Sequence, residues 1–370
     1  MNILCKVPLT ALDIYDYLAA EQQFLQSLVT SLKEKNNNSQ SSIQESLSRL
    51  IEEVPLVLTQ LAPTEAPENQ IKALLELANH FIRTFASVKF NEVDLDDWFL
   101  LAEGFLGKKV EEDYEIAILF YLAGIIYQWL AKDLPPTSNT YRFYTLNSLA
   151  ALKSAKAFMD RLSLNEENYA NLFKELLEVR LLEVEAEMVR SEAFKARQKG
   201  DFERASKLYA GVAANRFSMM NYDLPENSDN RVKIFASTEL GMACFYIAVG
   251  LTNLNETEKA YLYLLKSKSY FENSVKLAKT EEELLKAAEK RLALVNSSIE
   301  KIKLKIKAFN KKDLETIADP QPLIDYPKPD PLLTPGDSPD QIFLICPECL
   351  TKSPWSDKCS ECSGQLLPIE

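Results

Sequence analysis

Glycine and histidine are scarce in this chain. Its 370 residues include nine glycines and a single histidine, His80. Scarce glycine favours helices over a turn-rich sheet protein. One histidine without a nucleophile motif leaves no catalytic triad to propose, and no glycine-rich phosphate loop occurs. We therefore predict a largely helical protein that is not an enzyme and has no small-molecule substrate.

Basic charge is also in short supply. Lysine and arginine total 42 against 54 aspartates and glutamates, which gives a net charge of −12. A general nucleic-acid binder needs a basic footprint, so nucleic acid is not the expected partner. Residues 1–8 are too short and interrupted for a signal peptide, and the uncharged run 116–131 is shorter than a membrane span. These features predict a cytoplasmic protein without a signal peptide or a transmembrane segment.

Small residues at helical spacing mark the centre of the chain. Ala117, Gly124 and Ala131 recur at seven-residue steps, so they share one helix face that a second helix can approach closely. Bulky apolar residues fill the rest of 116–131, which predicts a helix buried on nearly all sides by several partner helices. Apolar periodicity and proline breaks predict helices at 10–32, 43–61, 69–88, 95–107, 114–131, 141–162, 166–199, 201–220, 231–251, 256–279 and 281–311.

Three segments share a frame in which an alanine precedes a large side chain by four residues. The alanines are Ala117, Ala205 and Ala260, at offsets of 88 and 55 residues. The frame is typical of the second helix of a tetratricopeptide hairpin, but the offsets are not multiples of about 34 residues. We predict tetratricopeptide-like helix pairs without a regular repeat array.

The sharpest motif lies near the end of the sequence. Cys346, Cys349, Cys359 and Cys362 form two Cys-x-x-Cys pairs. Each pair can turn two thiolates toward one point, and four thiolates suit tetrahedral Zn²⁺. With all four positions filled by protein ligands, such a zinc is structural and not catalytic. The alternatives are a redox pair or iron–sulfur ligands. We predict one Zn²⁺ in a short ribbon.

The ribbon itself is expected to contact protein rather than nucleic acid. Its two lysines, Lys352 and Lys358, are offset by nearby acidic residues. Trp355 is either an exposed anchor for a partner or the ribbon's own core.

Seven prolines fall between residues 319 and 339, which favours an extended polyproline II conformation. Either this segment is a spacer or strap that would hold the ribbon off the body, or its core at 326–333 is a peptide ligand or packs along the helices. The predicted domains are a helical body at 1–312, a proline-rich linker or strap at 313–342 and the zinc ribbon at 343–370.

Four successive helices resemble one family. Residues 114–131 carry Tyr-Glu-x-Ala-x-x-x-Tyr-x-x-Gly-x-x-Tyr-x-x-Leu-Ala, which is similar to the signature helix of the BRO domain in the ALIX family of ESCRT adaptors. Three further segments, at 152–162, 181–193 and 205–217, are similar to that family's next helices in the same order. The resemblance covers 114–217 and extends by length and helicity over 1–310.

The resemblance implies an elongated all-α solenoid and a non-enzymatic adaptor. Such an adaptor recruits ESCRT-III-like filament proteins in membrane remodelling or trafficking. Two other classes stay open: a tetratricopeptide-like scaffold of an unrelated complex, and a ribbon-bearing nucleic-acid or ribosome-associated factor.

The family's docking surface is an apolar patch on the two helices that match 181–199 and 201–220, where it receives one face of an amphipathic ESCRT-III-type C-terminal helix. The matching positions here are Val189, Arg204 and Leu208. Arg204 replaces an aliphatic residue, so either the patch is lost or the partner brings an acidic residue to meet the arginine. The alternative is that Val189 and Leu208 are ordinary core residues.

Positive charge concentrates in the last predicted helix. Lys301, Lys303, Lys305 and Lys307 belong to this cluster, next to an apolar stripe. The functional interpretation is peripheral contact with an anionic membrane, and the alternative is a solvated helix face.

Overall fold

A computed structural model describes residues 66–87, 112–132, 134–161, 169–222, 228–306, 317–337 and 341–366. The helices predicted at 10–32, 43–61 and 95–107 lie outside these residues, and so does the side chain of His80.

The described part of the chain is mainly helical, with an extended segment at 317–337 and a two-stranded ribbon, which confirms the predicted fold class. Seven of its helices begin and end within three residues of their predicted bounds. The elements are α1 (Pro67–Ser87), α2 (Glu112–Ala131), α3 (Asn139–Met159), α4 (Tyr169–Gln198), α5 (Phe202–Met219), α6 (Ser228–Asn253), α7 (Thr257–Leu277), α8 (Glu282–Lys303), β1 (Phe343–Ile345) and β2 (Lys352–Pro354).

The last helix is shorter than predicted. It ends at Lys303, and the amides of Lys305 and Ile306 donate to carbonyls three residues earlier, at Ile302 and Lys303. Such bonds tighten and close a helix end. The predicted continuation of the helix through residues 304–306 was therefore wrong. No glycine or proline in the sequence marks this helix end.

The described residues form two compact units. The first contains α1 to α3, the first third of α4 and residues 328–366. The second contains residues 135–138, the rest of α4, α5 to α8 and residues 317–327. Within each unit, helices that follow one another along the chain pack together: α1 on α2 and α2 on α3, then α5 on α6, α6 on α7 and α7 on α8.

A glycine allows two helices to meet closely in the first unit. A Cβ atom at Gly124 would lie only 2.8 Å from Cγ of Leu152, and the Ser148 hydroxyl donates to the Gly124 carbonyl at 2.7 Å. Ala117 and Ala131 are buried on the same helix. The predicted close approach on this face is therefore confirmed.

The second unit repeats this arrangement between α6 and α7. A Cβ atom at Gly241 would lie 2.9 Å from the Phe271 ring, and the Ser267 hydroxyl donates to the Gly241 carbonyl at 2.7 Å. Among the described residues, Asp229–Asn253 within α6 is the one helix long and apolar enough to cross a membrane, and 56% of its most apolar stretch is buried inside the protein.

A buried charge network joins α4, α5 and α6 in the second unit. Arg216, whose side chain is 6% exposed, lies 2.7 Å from a Glu187 carboxylate oxygen. Arg190 contacts Glu187 at 3.1 Å and Glu239 at 2.5 Å. Because breaking one member would leave a buried charge without its partner, this network fixes the three helices in place.

Candidate metal centre and partner surface

The two Cys-x-x-Cys motifs form turns with the same hydrogen-bond pattern. The amide of Leu350 donates to the Cys346 carbonyl at 3.0 Å, and the amide of Ser363 donates to the Cys359 carbonyl at 3.0 Å. Leu350 and Ser363 also share a left-handed backbone, with φ angles of 63° and 59°. Two equivalent turns therefore present two cysteine pairs to one point.

The four sulfur atoms form a compact cluster, since they all lie within 4.8 Å of one another. Sγ of Cys346 lies 3.5 Å from Sγ of Cys362, and Sγ of Cys349 lies 3.6 Å from Sγ of Cys359. A tetrahedral ion with metal–sulfur bonds of about 2.3 Å requires sulfur separations of about 3.8 Å. The cluster can therefore hold one metal ion with little adjustment.

Backbone amides prepare one cysteine of this cluster to be a thiolate. Burial disfavours the ionised form of Cys359, but the backbone N–H groups of Cys362 and Glu361 donate to its sulfur and bring its pKa down to about 6. Burial instead raises the pKa of Cys346 to about 12. Metal binding releases the protons of cysteine thiols. Cys359 is therefore the cysteine that ionises more easily, whereas Cys346 loses its proton when the cation binds.

A buried asparagine attaches the ribbon to α3. The side-chain amide of Asn147 donates to the Ile345 carbonyl at 3.1 Å, and its oxygen accepts from the Ile345 N–H at 2.8 Å. Asn147 is fully buried. Its side chain bonds both the N–H and the C=O of Ile345, as a neighbouring strand would on the edge of β1 that faces the helix. The ribbon and α3 belong to one compact unit, in contrast to a ribbon held off the body by a spacer.

The described part of the proline-rich segment, 317–337, is hereafter called the strap. In the first unit it lies along α3. The amide of Leu332 donates to the Ala150 carbonyl at 3.3 Å, and the amide of Leu333 donates to the Ser154 hydroxyl at 2.9 Å. Both leucines are buried, at 2% and 5% exposure. This part of the strap is thus integrated into the core of the unit.

In the second unit the strap lies against α7 and α5. Lys266 Nζ lies 3.1 Å from an Asp319 carboxylate oxygen, and the amide of Leu323 donates to the Lys207 carbonyl at 2.9 Å. A Cβ atom at Gly211 would lie 2.1 Å from the Leu323 carbonyl oxygen. The strap backbone therefore rests directly on the backbone of α5.

The three positions assigned to partner binding have different environments. Val189 and Leu208 have no exposed surface, so neither offers an apolar surface patch in this conformation. Arg204 is exposed and pairs with Asp325 of the strap at 2.7 Å. In this structure, an acidic residue of the same chain therefore lies beside Arg204.

The lysines assigned to membrane contact lie at the end of α8. Lys301, Lys303 and Lys305 are exposed, and none of them forms an ion pair with a described residue. Leu304, between two of them, is 90% exposed. Lys307 lies outside the described residues.

Two residues that position these sites were missed in the sequence. Gly211 is an interior helix glycine, the same signal that predicted close approach at Gly124. Asn147 lies between Leu146 and Leu149 in a helix, and a buried amide there implies a specific hydrogen-bond partner. Neither signal could identify the strap or the ribbon as that partner.

The sequence matches no protein-family model, and no curated protein matches it. The solved structures with a similar fold include two of Bro1 domains. One, described as a complex of the ALIX BRO1 domain with CHMP4C, is 11% identical, has a TM-score of 0.59 and covers 85% of this chain and 93% of its own. The other, described as a structural basis for endosomal targeting by the Bro1 domain, is 12% identical, has a TM-score of 0.51 and covers 82% of this chain and 88% of its own. The resemblance found in the sequence is therefore confirmed for the fold, which is that of the Bro1 domain.

Proposed function

We propose that this protein is a non-enzymatic cytoplasmic adaptor that recruits an ESCRT-III-type helix for membrane remodelling. The likeness to the Bro1 fold supports this proposal, because it extends over 93% of a chain that was solved as a complex with CHMP4C. The order of the BRO-like helix motifs in the sequence supports it independently.

The partner surface of this proposal lies on α4 and α5, at Val189, Arg204 and Leu208. An amphipathic helix binds through apolar residues on one face, and charged pairs at the rim set its orientation. Arg204 is the exposed member and supplies a rim charge. Val189 and Leu208 are buried, so they become accessible only when the structure around them rearranges.

A peptide footprint tests the proposal. The full chain is titrated with the C-terminal helix of CHMP4C up to millimolar concentration, and amide hydrogen exchange is followed by mass spectrometry. We expect protection within α4 and α5, because a covered surface lowers the apparent affinity without moving the binding site. The control peptide has the same composition but a scrambled order that breaks its apolar face.

Two results would contradict the adaptor proposal. One is no binding by any form of the chain, and the other is equal protection by both peptides. Binding of unrelated extended peptides would support the tetratricopeptide-like scaffold, whereas binding of RNA would support the nucleic-acid or ribosome-associated factor.

We further infer that the four-cysteine cluster holds one structural Zn²⁺. The sulfur separations suit a tetrahedral ion, and four thiolate ligands favour zinc or iron. Because protein fills all four positions, no site is left for a catalytic water. Metal analysis of the purified chain should give one zinc per chain, and iron in its place would refute the assignment.

We also propose that the end of α8 contacts anionic membranes. Lys301, Lys303 and Lys305 surround the exposed Leu304, so positive charge and an apolar side chain point to solvent together. Each lysine near an anionic surface contributes about 1 kcal/mol. Reversing all three to Glu should therefore lower affinity for phosphatidylserine vesicles more than tenfold.

The matched control for this membrane test reverses three other exposed lysines. An equal loss of vesicle affinity in both triple variants would show that only net charge matters. Unchanged vesicle binding by the α8 variant would show that these lysines only complement the helix dipole. The control lysines, each paired with a glutamate, are Lys259, Lys268 and Lys286.

A further inference from the structure

The strap contacts the face of α5 that carries the proposed partner positions. Residues 204, 208 and 211 are spaced by four and three, so they share one side of the helix. The strap contacts this side at both ends, through Asp325 on Arg204 and Leu323 on Gly211. Leu208 lies between these two contacts along the helix and is fully buried.

Gly211 gives the strap its position. In an α-helix the Lys207 carbonyl points toward residue 211, and a side chain there would shield it from a second donor. Without that side chain, the amide of Leu323 reaches the Lys207 carbonyl at 2.9 Å. A Cβ atom at Gly211 would lie 2.1 Å from O and 2.8 Å from C of Leu323. Alanine is therefore incompatible with the strap in its present place.

The contacts on either side of Gly211 include an exposed ion pair, which another acidic group can replace. The Arg204–Asp325 pair has both side chains about half exposed, at 47% and 52%, and exposed ion pairs hold weakly. The Tyr326 hydroxyl donates to Glu185 of α4. Ile324 remains 43% exposed and so contributes little apolar burial. On α5 the strap is thus held by a backbone hydrogen bond at Leu323 and a half-exposed ion pair at Arg204, with the buried Tyr326 beside them.

We propose that residues 319–326 of the strap are an intramolecular pseudo-ligand that covers the partner surface of α5 until a partner displaces them. This inference rests on the adaptor function proposed above and adds its regulation. Asp325 occupies the place on Arg204 that a partner's acidic residue would take. Because the strap is tethered, it competes at a high effective concentration and lowers the apparent affinity of the partner.

Two variants release the strap by independent routes. Gly211→Ala displaces it from α5, and Gly250→Ala is the matched control, because a Cβ atom there would lie at an ordinary 3.4 Å from Phe202. Asp325→Ala removes the ion pair and leaves α5 unchanged, with the exposed Asp330 of the same strap as the control for Asp→Ala. Thermal unfolding of all four variants checks that the helices remain folded.

The readouts are hydrogen exchange at the Leu323 amide and binding of the CHMP4C C-terminal helix. We expect exchange to accelerate at least tenfold and affinity to rise at least threefold in both release variants, with neither change in the controls. Faster exchange without a gain in affinity would overturn the pseudo-ligand while leaving a wild-type footprint on α4 and α5 as support for the adaptor. Unchanged exchange in both release variants would also overturn it. Absence of binding by every variant would refute the adaptor function and this inference together.

Discussion

Asn147 is the residue whose replacement should most directly separate the ribbon from the helical body. Its side-chain amide makes both hydrogen bonds to Ile345 and a third, at 2.9 Å, to the Phe143 carbonyl. Asn147→Ala removes all three bonds at a site without exposed surface. The N–H and C=O of Ile345 then lose these partners in the interior, where water cannot replace them.

The expected cost follows from those two groups. A buried donor or acceptor left without a partner costs about 1–3 kcal/mol, so the two groups should cost about 2–6 kcal/mol. The cysteines are untouched, so the metal should remain bound. The main loss should be the attachment of β1 to α3, and the ribbon should detach as a folded unit.

Three measurements on Asn147→Ala test this reasoning: urea unfolding, hydrogen exchange at the Ile345 amide and metal content. Asn296→Ala, an exposed replacement on α8, is the control and should be neutral within about 0.5 kcal/mol. An Ile345 amide that stays as protected as in the wild type, with an unfolding free energy changed by less than about 0.5 kcal/mol, would refute the role assigned to Asn147.

Three further replacements test the packing and the metal centre. Gly124→Leu should lower the melting temperature, because overpacking against Leu152 costs about 1–3 kcal/mol or more, and an unchanged melting temperature would mean that this helix face is open. Ser363→Gly should stabilise the ribbon against chelators by about 1 kcal/mol, because glycine adopts a φ of 59° without strain. The control Ser363→Ala should give no gain. An equal gain from both variants would exclude backbone strain as the cause. Cys359→Ser should release the zinc while helical circular dichroism stays nearly unchanged, and a large loss of helix would show that the body depends on the metal.

The helices could be predicted because their signals are local. Apolar periodicity and capping residues lie within each segment, so seven helices were placed within three residues at both ends. The Bro1 fold followed from the order of four such segments. The two Cys-x-x-Cys pairs were equally local, and their spacing alone predicted the cluster that the structure brings together.

Contacts between distant segments could not be predicted in the same way. Asn147 and Ile345 are 198 positions apart, and nothing in either segment names the other. The same holds for Arg204 and Asp325, which are 121 positions apart. An acidic residue from a partner was one of two interpretations of Arg204, and nothing in the sequence indicated that Asp325 of the same chain would lie beside it.

The strap shows how a proline-rich segment can be both stiff and well anchored. Proline has no N–H to donate, so the anchoring amides come from the residues between prolines: Leu323 follows Pro322, and Leu332 follows Pro331. The prolines limit the freedom of the unbound segment, so fixing it to a helix costs less entropy than fixing a flexible linker would. This smaller entropy cost adds to the effect of the hydrogen bonds and buried leucines that hold the strap in place.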